Sequence, residues 1–432
     1  MKKVAVVLFS DDFRIKDNPA FYNANLSDYK IIPLFIYNSN YLGREIGEAS
    51  KVFLHFILKN FSNLLFLKYG QKLIIKNGDV IAIIKDIQKE IPFETIFFNH
   101  SYTEFQIKVE NEIKNNFSCK SFKAKLIFEP TQIRELKVFT PFWKECLKNI
   151  HDVGEVLPEP SSVDMQNCSS ILLEDLNLLP KLNWWKDMHS FWNFDYQKIN
   201  SDYELFFQNK IENYKETRNS LDLDGVSKFS PYIRFGVFSV RDLFLRSLNR
   251  SPAFNSEIGW REFAFHTLFK NQNLSSKEVK SEFSNFLWDN NKNFLLKWQK
   301  GETGEDIVDA GMKELWKTGF MHGRARMICA SFVIKDLLID WKIGEKWFWD
   351  CLIDACPAVN PFSWQWVFGS GYDSAPYFRI FNPKLQKEKF DPSGTYVKKW
   401  NTKPKLIGIV NHDVCKKEAL LRYKNLKEPN LF

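Results

Sequence analysis

The chain has 432 residues, long for one ordinary core and enough for two or three domains. Its formal net charge of +8 favours a polyanionic partner without choosing one. Seven cysteines, odd in number and without CxxC spacing, argue against a disulfide framework or a zinc site, and no run reaches the roughly eighteen apolar residues that span a bilayer; a cytoplasmic chain with no membrane partner is expected.

From the N-terminus, residues 4–9, 31–37, 73–75 and 95–98 are short apolar, β-branched or aromatic runs, separated by segments long enough for crossover helices. That spacing predicts a parallel, Rossmann-like α/β sheet. Residues 50–68 carry apolar side chains at helical spacing, Gly78-Asp79 marks a turn, and no GxGxxG dinucleotide fingerprint occurs. From 129 to 194 the chain turns rich in Pro, Asn and Ser, as in LPEPSSVDMQNCSS at 157–170, and reads as a connection crossing the surface. Thirteen of the fourteen tryptophans follow residue 183, and apolar residues then recur at three and four spacing. The chain therefore divides into an α/β domain over 1–128, a linker over 129–200 and an all-α domain over 201–432. HDVCKKEALLRYKNL, at 412–426, is a last helix with a basic face.

Within the helical part, Trp364 and Trp366 flank Gln365, so a helical turn would aim the two rings about 200° apart. Gly369 and Gly371 permit close backbone approach or positive φ, and Asn382-Pro383 marks a chain turn. Ser230-Pro231 reads as a helix start with serine as N-cap, and helix N-termini attract anions. The seven histidines, from His55 to His412, form no Ser-His-Asp or metal set, which argues against hydrolysis.

Six stretches carry more than this. They are DDFRIKDNPAF (11–21), DLDGVSKFSPYIRFGVFS (222–239), EIGWREF (257–263), GETGEDIVDAGMKELWKTGFMHGRARM (301–327), ASFVIKDLLIDW (330–341) and NPFSWQWVFGSGYDSAPYFRIFNP (360–383). Together they resemble the photolyase and cryptochrome family over nearly the whole chain, and are most similar to the cyclobutane pyrimidine dimer photolyases of class I/III type. The resemblance implies FAD in the helical domain. Tyr214, Val226, Ser227, Lys228, Phe229, Ser230 and Phe254 match its phosphate side, and Arg261, Arg326, Asp354, Cys356 and Asn360 match its ring side, with Arg326 paired to Asp354 and the Asn360 amide at flavin N5. Valine and lysine at 226 and 228 stand where relatives usually have threonine and arginine, and Cys356 where they have a second aspartate.

Trp364, Trp341 and Trp288 match the family's electron-carrying tryptophans, although each alone is more often a core ring. Arg218, Glu257, Trp260, Gly323, Arg324, Met327, Trp366 and Gln386 match contacts to DNA containing a flipped pyrimidine dimer. Six-four enzymes place histidines at the positions of Gly323 and Met327. His322 lies one residue off and should point elsewhere, as a structural histidine. The expected activity is light-driven splitting of cyclobutane dimers by a monomeric enzyme, the alternative a cryptochrome that signals without repair. The family's α/β domain also holds an antenna chromophore, a methenyltetrahydrofolate or a deazaflavin. Where folate-binding members have tyrosine then glutamate, Tyr102 here is followed by Thr103, with Glu104 one place later, and Asn99 and Tyr102 read equally well as the end of a strand.

Overall fold

The computed structural model describes residues 2–402 and 406–427. Strands β1 (Val4–Phe9), β2 (Lys30–Tyr37), β3 (Ile74–Asn77), β4 (Thr95–Asn99) and β5 (Cys119–Phe122) form one parallel sheet in the order β3-β2-β1-β4-β5, with Val6 opposite Ile32 on one side and Ile96 on the other. Helices α1 (Pro19–Leu26), α2 (Glu48–Tyr69), α3 (Val80–Glu90) and α4 (Glu104–Asn116) make the crossovers. On one face Val6, Leu34, Ile74 and Ile96 pack with Ile84 and Ile87 of α3 and Ile113 of α4. Elsewhere in the core Phe9 meets Phe21 of α1 and Phe61 of α2. Strands covered on both faces need apolar residues at nearly every position, which is why β1, β2 and β4 appear as apolar runs, while β3, at one edge, keeps only Ile74 and Ile75 buried.

The fifth strand escapes such a reading. CKSF is an edge strand paired only to β4, its residues half-buried or exposed, so no apolar run marks it. The 157–170 stretch also departs from a plain surface crossing. Ile31 N donates to Asp164 O at 2.8 Å, Gln166 N to Ile31 O at 2.9 Å and Ile171 N to Ile75 O at 3.0 Å, while Cys168 is buried in the sheet's core. Pro, Asn and Ser content reports solvation, not backbone pairing, and here the chain uses its peptide groups to extend the sheet.

By compactness the chain falls into two units. The first gathers Met1–Arg134, Trp143–Asn209 and Lys228–Glu262; the second gathers Glu135–Phe142, Lys210–Ser227 and Phe263–Phe432. Among the described residues, the second unit is helical, and no helix of the chain is long and apolar enough to cross a membrane. In the first unit two of the sequence motifs meet. Asp11 pairs with Arg234 at 2.8 Å and accepts from Tyr41 Oη at 3.0 Å, and Lys125 Nζ stands 3.3 Å from its other oxygen. Arg14 donates to the carbonyls of Asp17, Gly236 and Ala124. Gly236 has φ +64°, and a Cβ built there would lie 2.1 Å from Asp11 O.

Gly70, the C-cap of α2, has φ +75° with nothing within 4 Å of such a Cβ. Gly70→Ala should therefore cost only backbone strain, about 1 kcal/mol, whereas Gly236→Ala adds a backbone collision that cannot relax and should cost several times as much. Urea unfolding of the two variants checks this; equal losses would show that the contact at Gly236 does not matter.

Candidate functional site

In the second unit the helix Val359–Phe368 carries Asn360, Trp364 and Trp366. The two rings diverge as the helical spacing requires. Trp364 is buried, edge-on to Phe348 with centroids 5.0 Å apart and to Trp298 at 6.3 Å, while Trp366 is half-buried and donates from Nε1 to Asp373 O at 3.0 Å. Gln365 between them has no exposed surface. Its Nε2 donates to the carbonyls of Leu274 and Lys277, both at 2.8 Å, and its Oε1 accepts from Val279 N at 2.8 Å. The two glycines serve differently: Gly369 ends the helix at φ +113°, and a Cβ on Gly371 would lie 3.0 Å from Trp366 N. Asn382 is an N-cap, accepting from Leu385 N, with Pro383 opening the next helix.

Asn360 is buried, and its Nδ2 donates twice to Glu345, to the carbonyl at 3.2 Å and to Oε1 at 2.8 Å. No described residue donates to its Oδ1, which leaves an amide acceptor. Arg326 pairs with Asp354 at 2.8 Å as expected, and its Nε donates to Met321 O. Cys356 is buried, and its carbonyl accepts from Asn360 N at 3.1 Å. Trp341 is buried, Trp288 half-buried against Phe286 and Phe368. Tyr214 is buried in its short helix, and Gly225 has no room for a side chain, since a Cβ would lie 2.5 Å from Thr217 Cβ. That approach holds Val226 and Ser227, both half-buried, beside the helix Tyr214–Thr217.

Helix Gly323–Ser331 carries three of the residues matched to DNA, Gly323, Arg324 and Met327. His322 is its N-cap: Nδ1 accepts from Arg324 N at 3.1 Å and the backbone N donates to Glu314 Oε2 at 3.0 Å, so the histidine is a buried structural residue. Gly323 is exposed, with nothing within 4 Å of a Cβ. Arg324 donates to Asn219 Oδ1 at 2.6 Å, lies 4.3 Å over the Phe390 ring and contacts Met327 Sδ at 3.7 Å. Arg218, Met327 and Gln386 are half-buried in the same unit.

In the first unit, Lys228 has φ +57°, a conformation rare outside glycine, with its Nζ 5.9 Å from the Phe191 ring centre. The rings of Phe229 and Phe254 are spent on the core: Phe229 packs on Tyr203, Phe206 and Phe238, and Phe254 on Phe206. Ser230 is not an N-cap. It is the first helical residue, exposed, with Phe229 before it in αR geometry and no side-chain cap bond, because the turn into the helix is already made at Lys228. In the helix Pro252–Lys270, Glu257, Trp260 and Arg261 share a face by their spacing of three and four. Glu257 is exposed and Trp260 half-buried. Gly259 lets the opposite face close on Trp143, whose ring would lie 2.7 Å from a Cβ there.

Sequence reasoning missed the carboxylates behind these residues: Glu345 behind Asn360, Glu278 behind Trp341 and Glu262 beside Arg261. Glu345 and Glu278 come from other elements at no recognisable spacing, whereas Glu262 follows Arg261 within EIGWREF and only its complete burial leaves no mark in the sequence. Glu262 has no exposed surface; its Oε2 accepts from Ile127 N at 2.9 Å and Phe128 N at 3.1 Å, and Oε1 lies 3.1 Å from Arg261 Nη1. Burial pushes its carboxyl up to about 7, against the pull of Arg261 and the two backbone donors. At the folate position, Tyr102 donates to Glu129 Oε1 at 2.6 Å, Thr103 caps α4 and Asn99 bridges Asp12 and Asn18. The nearby cavity among Asp11, Asp12, Arg14, Asn99, His100 and Lys125 has a volume of about 10 Å³, room for one water.

A parallel α/β domain and a helical domain bearing this tryptophan, amide and ion-pair set define a photolyase-type flavoprotein architecture. Residues 5–161 match the DNA photolyase family model and residues 254–424 the FAD binding domain of DNA photolyase. The deoxyribodipyrimidine photo-lyase of Agrobacterium fabrum is 35% identical over 91% of this chain and 86% of that protein. Cryptochrome-1 of Arabidopsis thaliana is 29% identical over 92% of this chain and 62% of its own length. Among solved structures, a class III photolyase from Agrobacterium tumefaciens has a TM-score of 0.91 at 32% identity, covering 99% of this chain and 98% of that one, and a Synechocystis cryptochrome 0.83 at 25%, covering 98% and 100%. The chain belongs to the DNA photolyase family. The donor set fits its flavin: the Asn360 Oδ1 acceptor and the Arg326–Asp354 pair are chemistry a flavin ring system uses.

A Cβ on Gly344 would lie 2.3 Å from Trp364 Cη2. Gly344→Ala should therefore destabilise the protein by about 2 kcal/mol, the overpacking cost exceeding alanine's helix advantage of about 1 kcal/mol. Denaturant midpoints check it, and a gain in stability would show that this contact does not fix the ring. Glu262 gives a pH signature. A carboxyl raised in the folded state is most favourable below the unfolded value of 4.5, and that stability drains as pH rises to about 7, by roughly 3 kcal/mol. Glu262→Gln should flatten stability across that window, as read by urea midpoints from pH 4 to 8.

Proposed function

We infer that this protein is a light-dependent DNA-repair lyase, a deoxyribodipyrimidine photolyase acting on cyclobutane pyrimidine dimers. Bound FAD, once reduced and photoexcited, supplies the electron that opens the dimer. Tyr214, Val226 and Ser227 of the second unit, and Lys228, Phe229, Ser230 and Phe254 of the first, would serve its phosphate side. Arg326, Asp354 and Cys356 of the second unit, and Arg261 of the first, would serve its ring side, and Asn360, its amide turned by Glu345, would offer Oδ1 as an acceptor to a proton on flavin N5. Trp366 and Met327 of the second unit, and Trp260 and Glu257 of the first, are the residues that the family's pattern assigns to the flipped dimer, the two tryptophans and the methionine apolar and able to stack and Glu257 a polar contact. Arg218, Gly323, Arg324 and Gln386 face the DNA, and phosphate contacts by such cations make binding weaken as salt rises. Trp364, Trp341 and Trp288, two buried and one partly exposed, carry electrons inward from solvent.

His322 carries the choice of lesion. The six-four reaction needs a histidine acid at the lesion, and the one histidine in MHGRARM is buried as a helix cap, with glycine and methionine at the two lesion-facing positions. Seven free thiols support a cytoplasmic setting, and the net charge of +8 a monomer. The antenna, a folate or a deazaflavin, belongs to the α/β domain; the side chains at the folate position are taken up by internal bonds, which favours the deazaflavin. An archaeal photolyase from Sulfolobus tokodaii, at 26% identity, carries two FAD molecules.

The reduced protein, illuminated with oligonucleotides carrying each lesion separately, should restore cyclobutane dimers and leave six-four products untouched. Restoration of the six-four product alone would overturn the assignment, and restoration of neither would favour a cryptochrome.

A further inference from the structure

Trp341 opens the helix Trp341–Cys351 with 0% of its surface exposed, and its Nε1–H donates to Glu278 Oε1 at 2.9 Å. Lys342 Nζ binds the same oxygen at 2.5 Å. The Glu278 side chain is itself only 6% exposed. It is pinned on both sides by Gln365, which bonds the carbonyls of Leu274 and Lys277 and the N–H of Val279. A buried residue of the tryptophan helix thus fixes the loop that aims a carboxylate at the next tryptophan's only polar atom. Burial pushes the Glu278 carboxyl up, but the bonds from Lys342 and Trp341 outweigh it and hold the group below its ordinary value, as an anion at neutral pH. Asp340, beside it, is pushed the other way by burial and caps the helix at Lys342 N.

We propose that Glu278 is the proton acceptor of the Trp341 relay: when the indole loses an electron, its Nε1 proton crosses the existing hydrogen bond to Glu278 Oε1 and leaves a neutral radical on the ring. This rests on the reading of Trp341 as an electron carrier. One electron passes from Trp341 to the one-electron-oxidised ring of Trp364, which the flavin photochemistry of the family supplies. One N–H bond breaks and one O–H bond forms. A thiol donor in solution later returns an electron through Trp288, and the proton goes back to Nε1. The physical need is local. A cation radical on a fully buried ring has no water to solvate it, an adjacent carboxylate offsets that charge at short range, and an oxidised indole is a far stronger acid than indole. Losing the proton removes the charge that would drive the electron back.

Flash photolysis of the oxidised, flavin-loaded protein separates these roles, because the cation radical absorbs at longer wavelength than the neutral one. The native protein should form the neutral radical, with a rate slowed in deuterium oxide. Glu278→Gln keeps an acceptor of the same shape but removes the base: the neutral-radical band and the isotope effect should both be lost, and the radical should decay sooner by recombination. Lys342→Met, which leaves the carboxylate and removes its competing cation, should speed proton transfer, and serves as the deciding variant if Glu278→Gln does not fold. Trp341→Phe tests the underlying relay. If it leaves the long-lived radical unchanged, Trp341 is no carrier and the proposal falls with it; if it abolishes the radical while Glu278→Gln and Lys342→Met change neither band nor isotope effect, the relay stands and Glu278 is only a structural anchor.

Discussion

Asp11 is a carboxylate with almost no exposed surface whose charge is met by Arg234 at 2.8 Å, and the first unit is arranged around that pair. Burial alone would raise the Asp11 carboxyl; Arg234 and Lys125 overcome it and keep the group ionised. Such a pair is weak evidence of stability, since two buried ions rarely beat well-packed apolar residues, but losing one partner strands the other at about 3–5 kcal/mol. Its strength is in specifying one arrangement. The end of β1 holds the 233–239 turn in one place, because Arg14 binds the Gly236 carbonyl and the glycine lacks the Cβ that would strike Asp11. Lys228 and the face bearing Glu257, Trp260 and Arg261 belong to the same unit as the sheet.

The second unit uses neutral amides for the same end. Gln365 is fully buried and fully bonded, and it ties the 274–279 loop to the helix whose neighbouring positions are the two tryptophans. Removing its bonds would leave two carbonyls and an N–H unpaired, so the helix cannot rotate without a large penalty. Trp364 and Trp366 consequently keep their opposite directions. Gly344 completes the arrangement by letting the neighbouring helix close on Trp364, an approach that any side chain would prevent.

The sequence is most readable where one physical demand dominates. Strands β1, β2 and β4, inside the sheet, are legible because both faces are covered, and β3, at one edge, shows only its two buried isoleucines, whereas β5, at the other edge, carries no such demand. The 157–170 stretch reads as linker because its side chains are polar, yet its backbone pairs with β2 and β3, and pairing of peptide groups leaves no mark in side-chain chemistry. Ser230 shows a finer limit: serine before proline fits a cap, but with the positive φ of Lys228 the helix starts one residue earlier, at Ser230 itself. The divergence of Trp364 and Trp366, the Arg326–Asp354 pair and the buried cap at His322 follow from spacing or motif and stand as read.

The three carboxylates behind the motif residues are another matter, because what each does depends on who shares it. Glu262 receives two backbone donors and one arginine, not enough to offset complete burial, so its carboxyl rises to about 7 and Arg261 faces a partner whose charge changes near neutrality. Glu278 receives a lysine and an indole N–H at lesser burial, and is held as an anion. Glu345 accepts the Asn360 amide at its carboxylate and again at its backbone carbonyl, so it works through orientation: an Asn360 turned the other way would offer a donor where an acceptor stands. A chain with every motif residue in place but Glu278 or Glu345 replaced would look the same in its motifs. It would differ in the proton or the orientation at the very group the motif names, and that is where its chemistry would change.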